Sequence, residues 1–143
     1  MRIRKATTED LPKMFDLAAE FYSSSEFLEG FDIDIFINNW TKFINTGIGI
    51  IWILNDFDGC LGAMKYPDVN NGELIATELF WFVSSDKRGD GIRLLKEFEM
   101  WAKTEGCKKI IMSHLTDLMP ESIASIYKWR GYKPMEIHYV KEL

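Results

Sequence analysis

The stretch that decides the fold is ELFWFVSSDKRGDGIRLLKEFEMWAK, residues 78–103. An apolar, aromatic-rich run at 79–83 gives way to a corner holding Gly89 and Gly91. Beyond it Ile92, Leu94, Leu95, Phe98, Trp101 and Ala102 recur at the spacing of an amphipathic helix. The pattern predicts strand, turn, helix. A helix start presents amide N–H groups with no intrahelical acceptor, together with the positive end of the helix dipole. Glycines there remove side chains that would block close approach and open backbone angles closed to other residues. Arg88 and Arg93 add positive charge beside those amides, so the corner suits a phosphate or pyrophosphate. A plain turn also accounts for a bare G-x-G pair. Two well-known phosphate loops do not fit. The Walker pattern needs Gly-Lys-Ser/Thr where Gly91 is followed by Ile92 and Arg93, and the dinucleotide fingerprint needs glycine where Leu94 stands.

Working outward, RIRKA predicts a short first strand with Ile3 inward, and TTEDLPKMFDLAAEFY a helix capped by Thr7 or Thr8. SSSEFLEGF reads as a loop, and DIDIFINNWTKFINTG as a second helix capped by Asp32 or Asp34 and stopped by Gly47. IGIIWILNDFDGCLGAMKYP splits into two apolar runs about Asn55-Asp56-Phe57-Asp58-Gly59, a hairpin signal, and Asn71-Gly72 marks a second turn before a long strand ending at Val83. After the central helix, CKKIIMSHL has the short apolar run of a buried strand. MPESIASIYKWRG is a fourth helix between Pro120 and Gly131, and YKPMEIHYVKEL closes the chain as a strand with Ile137, Tyr139 and Leu143 alternating. A single helix between the long strand and KKIIM implies that the sheet is parallel there.

The 143 residues match one ordinary domain, with enough apolar content (47%) to fold without disulfides or metals. A net charge of -5 argues against binding nucleic acid, which requires many cations to neutralise phosphates. It is compatible with a cationic substrate such as an amine. Cys60 and Cys107 form no Cys-x-x-Cys and have only His114 and His138 as further metal-ligand candidates, so free thiols and no metal are expected. No segment has the length of a membrane span, and charges occupy the N-terminus where a signal peptide needs an apolar run. A cytoplasmic protein with no membrane partner is expected.

Three pieces in order, ELFWFVSSDKRGDG, IRLLKEFEMWAK and IYKWRGYKP, give the chain a family likeness. It resembles the Gcn5-related N-acetyltransferase (GNAT) superfamily, in the small stand-alone form common in phages and bacteria. The likeness runs from IRKATTEDLPKM to EIHYVKEL, and IYKWRGYKP is similar to the family's Tyr-x-x-x-Gly-Phe/Tyr ending. It implies one N-acetyltransferase domain over residues 1–143, an α/β fold with a GNAT-like mixed, partly parallel sheet in the order β-α-α-β-β-β-α-β-α-β. It also implies acetyl-CoA as cosubstrate, its pyrophosphate held by Arg88, Gly89, Asp90, Gly91, Ile92 and Arg93. Backbone amides near Phe82 and Val83 would then hold the pantetheine arm and polarise the thioester carbonyl. The family pattern R-x-x-G-x-G/A can be met in two registers. If Arg88 leads, Gly91 is the first glycine and Arg93 replaces the second; if Gly89 and Gly91 are the pair, Asp86 takes the basic position.

The resemblance implies the chemistry as well. Glu78, at the start of the strand, matches a carboxylate that serves as general base in many relatives; an edge glutamate in water is its structural alternative. Tyr127, four residues before Gly131, matches a proton donor to the departing thiolate; its alternative is a tyrosine packed on the sheet. His114 ends a strand and His138 lies in the closing segment, both read more readily as structural. The function implied is direct transfer of acetyl to a primary amine of a small molecule or protein, with a homodimer one expected assembly. The acidic loop SSSEFLEGFDID would favour a cationic acceptor. The competing reading is a catalytically inactive CoA-binding or interaction domain of the same fold. It draws on a glycine loop about two residues shorter than the family's usual one and on Pro120-Glu121-Ser122, where relatives often carry asparagine.

Overall fold

Pro12 shapes the first helical segment. In the computed structural model, which describes residues 2–143, strand β1 (Ile3–Lys5) leads into a 3-10 helix (Thr8–Met14) and then helix α1 (Phe15–Tyr22). Sequence spacing predicts one continuous helix there. Proline has no N–H to give and its ring crowds the carbonyl four residues back, which favours the tighter turn. Asp10 fixes the entry: its carboxylate accepts from Thr7 N–H at 2.8 Å and pairs with both terminal nitrogens of Arg4 at 2.7 and 2.8 Å. The Arg4 guanidinium holds the Asp10 carboxyl well below the usual carboxylate range.

Helix α2 (Ile33–Thr46) begins where Asp32 accepts from the N–H groups of Asp34 and Ile35, and ends at Gly47 in the left-handed conformation, φ 76°. Strands β2 (Gly49–Leu54), β3 (Gly59–Pro67) and β4 (Leu74–Val83) form an antiparallel meander. A 3-10 helix (Ser85–Asp90) leads to helix α3 (Ile92–Thr104), and β5 (Lys109–Ile111) returns parallel to β4. The sheet order is β1-β2-β3-β4-β5, mixed as expected.

The pleat of β2 sorts the two faces. A Cβ on Gly49 would meet Phe43 and Trp40 of α2, so this parity of β2 faces α2. Trp52, of opposite parity, packs on Phe98 and Trp101 of α3, at centroid distances of 6.0 and 5.8 Å. On the α2 side Phe80 of β4 meets Trp40 at 5.4 Å, and Phe82 meets Phe21 of α1 at 5.1 Å. Ile51, Ile53, Leu61, Leu94, Leu95 and Phe98 are fully buried.

The chain divides into two compact units, the second running His114–Leu143. This unit holds helix α4 (Pro120–Trp129), which closes with Gly131 at φ 89° and Tyr132 N–H donating to the Tyr127 carbonyl at 2.9 Å. The strand expected over 132–143 is not formed, a correction to the sequence reading. Alternation supplies a face but no partner, and a strand exists only when its N–H and C=O groups are paired. Ile137 and Tyr139 are 76% and 91% exposed.

Candidate functional site

The site begins where the sheet forks. β4 pairs with β5 over three positions only, the last being Thr77 with Ile111. From there to Val83, β4 keeps β3 on one edge and, among the described residues, has no strand on the other. A bulge marks the fork: Gly62 pairs with Phe80 and Ala63 with Glu78, leaving Leu79 as the extra residue. Gly62 is required by this geometry, since a Cβ there would lie 2.3 Å from the Phe80 ring.

Glu78 sits at this fork. Its Oε2 accepts from Ser113 N–H at 3.2 Å and from Ser113 Oγ–H at 3.1 Å. Part of the side chain's surface remains open, yet desolvation outweighs the two hydrogen bonds and raises its carboxyl to about 7. A carboxylate poised near neutrality can take a proton from an amine and release it again.

Backbone N–H groups along the open edge follow from strand alternation. Ser84 N–H donates to the Asp58 carbonyl at 2.8 Å, on the β3 side. The N–H of Phe82, two residues earlier and paired with Cys60, therefore also faces β3. Those of Trp81 and Val83 face the unpaired edge. The Phe82 ring lies on the other side of the question, lining an apolar cavity of ≈ 20 Å³ with Phe21, Tyr22, Phe36, Cys60 and Phe80. Burial pushes the Cys60 thiol up to about 12, so it packs as a small hydrophobe.

At the corner, the 3-10 helix satisfies much of its own backbone. Lys87 N–H donates to Ser84 at 2.8 Å and Gly91 N–H to Arg88 at 3.2 Å. Leu94 and Leu95 N–H both reach the Gly91 carbonyl, at 3.0 and 3.5 Å. Those of Ile92 and Arg93 belong to the first turn of α3, where the helix itself supplies no acceptor four residues back. No side chain caps α3, and its first turn has no acidic residue. Arg93 instead places positive charge at the positive end of the dipole, an arrangement that favours an external anion.

Neither glycine of the corner has positive φ, so the expected conformational role is corrected. Gly91 has φ -60° and is needed for close packing, since a Cβ there would stand 2.9 Å from Val83 Cγ2. Gly89 is exposed, with no atom within 4 Å of a built Cβ. Arg88 is exposed and Asp90 half-buried at the end of the 3-10 helix. These observations fit a diphosphate: an uncapped helix start, two nearby guanidinium side chains and clearance above Gly89.

Tyr127 belongs to the second unit, on α4, its ring 6.1 Å from His114 and 5.6 Å from Tyr132. His138 is exposed beside Glu136, at 3.3 Å. The sequence reading missed Ser113 as the partner of Glu78. With 35 residues between them, no local signal points to it. Among the described residues no group of three or more His, Cys, Asp or Glu is arranged to hold a metal, and no helix is long and apolar enough to cross a membrane.

No protein-family model matches the chain, and no curated protein matches it in sequence. Solved structures do match. A Trypanosoma brucei acetyltransferase shares 16% identity, with 99% of each chain covered and a TM-score of 0.76. Glucosamine-6-phosphate N-acetyltransferase from Arabidopsis thaliana shares 17%, covering 99% of this chain and 97% of that one, at 0.75. Ribosomal-protein-alanine N-acetyltransferase from Brucella melitensis shares 16% over 100% of both chains, at 0.73. The chain has the GNAT acetyltransferase fold.

Proposed function

We propose that this chain is an acetyl-CoA-dependent N-acetyltransferase of the GNAT superfamily, passing acetyl directly to a primary amine of a small molecule or protein. The observation that carries the reading is the forked edge of β4, with a near-neutral carboxylate at its root and an uncapped, cationic helix start at its far end. Bound along that edge, acetyl-CoA supplies an activated acetyl thioester. The N–H groups of Ile92 and Arg93, with the Arg88 and Arg93 side chains, hold the diphosphate. Gly89 and Gly91 keep the approach clear, and Asp90 closes the turn. The amides of Val83 and Trp81 take the pantetheine and thioester oxygens, a role for fixed donors that is commonly a large catalytic contribution. Phe82 supports that strand from the other side, through β3 and its ring.

Glu78 takes the proton that the acceptor nitrogen must lose, and Tyr127 is assigned the proton that the departing sulfur takes up. Glu26, Glu29, Asp32 and Asp34 give the acceptor side a negative potential suited to a cationic amine. A cytoplasmic location and a homodimer complete the proposal. The exposed Ile137, Tyr139, Val140 and Leu143 are apolar surface that an assembly could cover.

Calorimetry with acetyl-CoA, followed by thiol release with a panel of amines, tests the reading. Binding together with amine-dependent release is expected. Binding without release for any acceptor would support a CoA-binding domain that does not turn over, and no binding at all would reject both.

A further inference from the structure

Ser113 spans the place where β4 and β5 part. The ladder ends at Thr77 and Ile111, and the next connection between these strands is a side-chain clamp, with Ser113 N–H and Oγ–H both on Oε2 of Glu78. No group among the described residues donates to Oε1. A carboxylate held by two donors on one oxygen cannot rotate freely, and its other oxygen is left to accept a proton. We propose that Ser113 is a positioning residue for acetyl transfer, fixing the orientation and the proton affinity of the Glu78 carboxylate at the fork. This rests on the reading of Glu78 as the general base.

The two donors favour the charged carboxylate and oppose its burial. Burial and these two Ser113 hydrogen bonds are the influences on this group among the described residues. Lys65, the nearest lysine along β3, is opposite Ala76 and pairs with Glu105 at 3.4 Å, and Lys109 on β5 is opposite Ile75. Ser113 thus limits how far burial lifts the proton affinity. Removing its hydroxyl leaves one donor.

The test is the pH–rate profile of Ser113→Ala and Ser113→Thr, with direct NMR titration of the 13C-labelled Glu78 carboxyl. In Ser113→Ala the ascending limb and the Glu78 titration should both move up by about one pH unit. The loss of rate should fall chiefly on the ascending limb, whereas a merely structural loss would lower the rate in the same proportion at every pH. Ser113→Thr, which keeps the hydroxyl, should restore both values and guards against misfolding of the alanine variant. An unshifted titration in folded Ser113→Ala would overturn the proposal, as would a loss of rate independent of pH. If Glu78→Gln keeps the parent profile, the base reading falls and the positioning role in catalysis with it. A shifted titration would then leave the clamp standing as an electrostatic contact only.

Discussion

Between its ordinary value of 4.5 and about 7, Glu78 retains a proton in the folded chain that the unfolded chain has already released. Folding therefore binds a proton in this window, and Glu78's contribution to stability declines as pH rises through it, then stays constant above 7. Glu78→Gln, which still offers Ser113 an oxygen, should be more stable than the parent at pH 8 and nearly equal at pH 4 in urea titrations. The same change should slow acetyl transfer by about 10²- to 10⁴-fold. Such opposed effects separate a functional carboxylate from a structural one, which would weaken the fold when lost. Gly62 illustrates the reverse case, in which packing alone governs. A methyl there collides with the Phe80 ring, whose own contacts with Trp40 and Phe36 limit its retreat. Gly62→Ala should cost about 3 kcal/mol in denaturant unfolding, and Phe80→Leu in the same chain should recover part of it.

At the scale of elements, the start of α3 separates stability from binding. Arg93 in the first turn is unfavourable toward the dipole, and no side chain caps the helix. Arg93→Glu should stabilise the free chain by about 0.5 kcal/mol, measured by urea unfolding at low salt. It should also weaken acetyl-CoA binding by tenfold or more in calorimetry, because it turns a cation into an anion beside the diphosphate. A variant that gained no stability but lost binding would point to altered loop structure rather than electrostatics. The elements themselves were largely legible in the chain. Asp32 and Gly47 bound α2, Asn71-Gly72 turns β3 into β4, and Gly131 stops α4, each because the backbone angle or the capping bond is local. Pro12 is legible too, but the helical spacing around it does not show its effect, a 3-10 turn before α1 rather than one helix. The closing segment failed for a different reason, since the alternation of Ile137 and Tyr139 describes a face and says nothing about whether another strand is there to pair.

For the whole molecule, ligand linkage gives the plainest expectation. Acetyl-CoA at a hundredfold above its dissociation constant should stabilise the chain by about 2.7 kcal/mol, read as a rise in thermal midpoint that CoA-free buffer does not produce. By itself the sequence determined the order of strands and helices up to α4, the parallel return of β5 and the basic, glycine-containing corner. These follow from periodicity, caps and turn residues, which act over a few neighbours. Only the tertiary structure decided that Glu78 meets Ser113, that Leu79 bulges at the fork, that Gly91 is a packing glycine and that no side chain caps α3. Each depends on which strand lies beside which and where their pairing ends, and a linear pattern of apolar and polar residues carries no record of that distance.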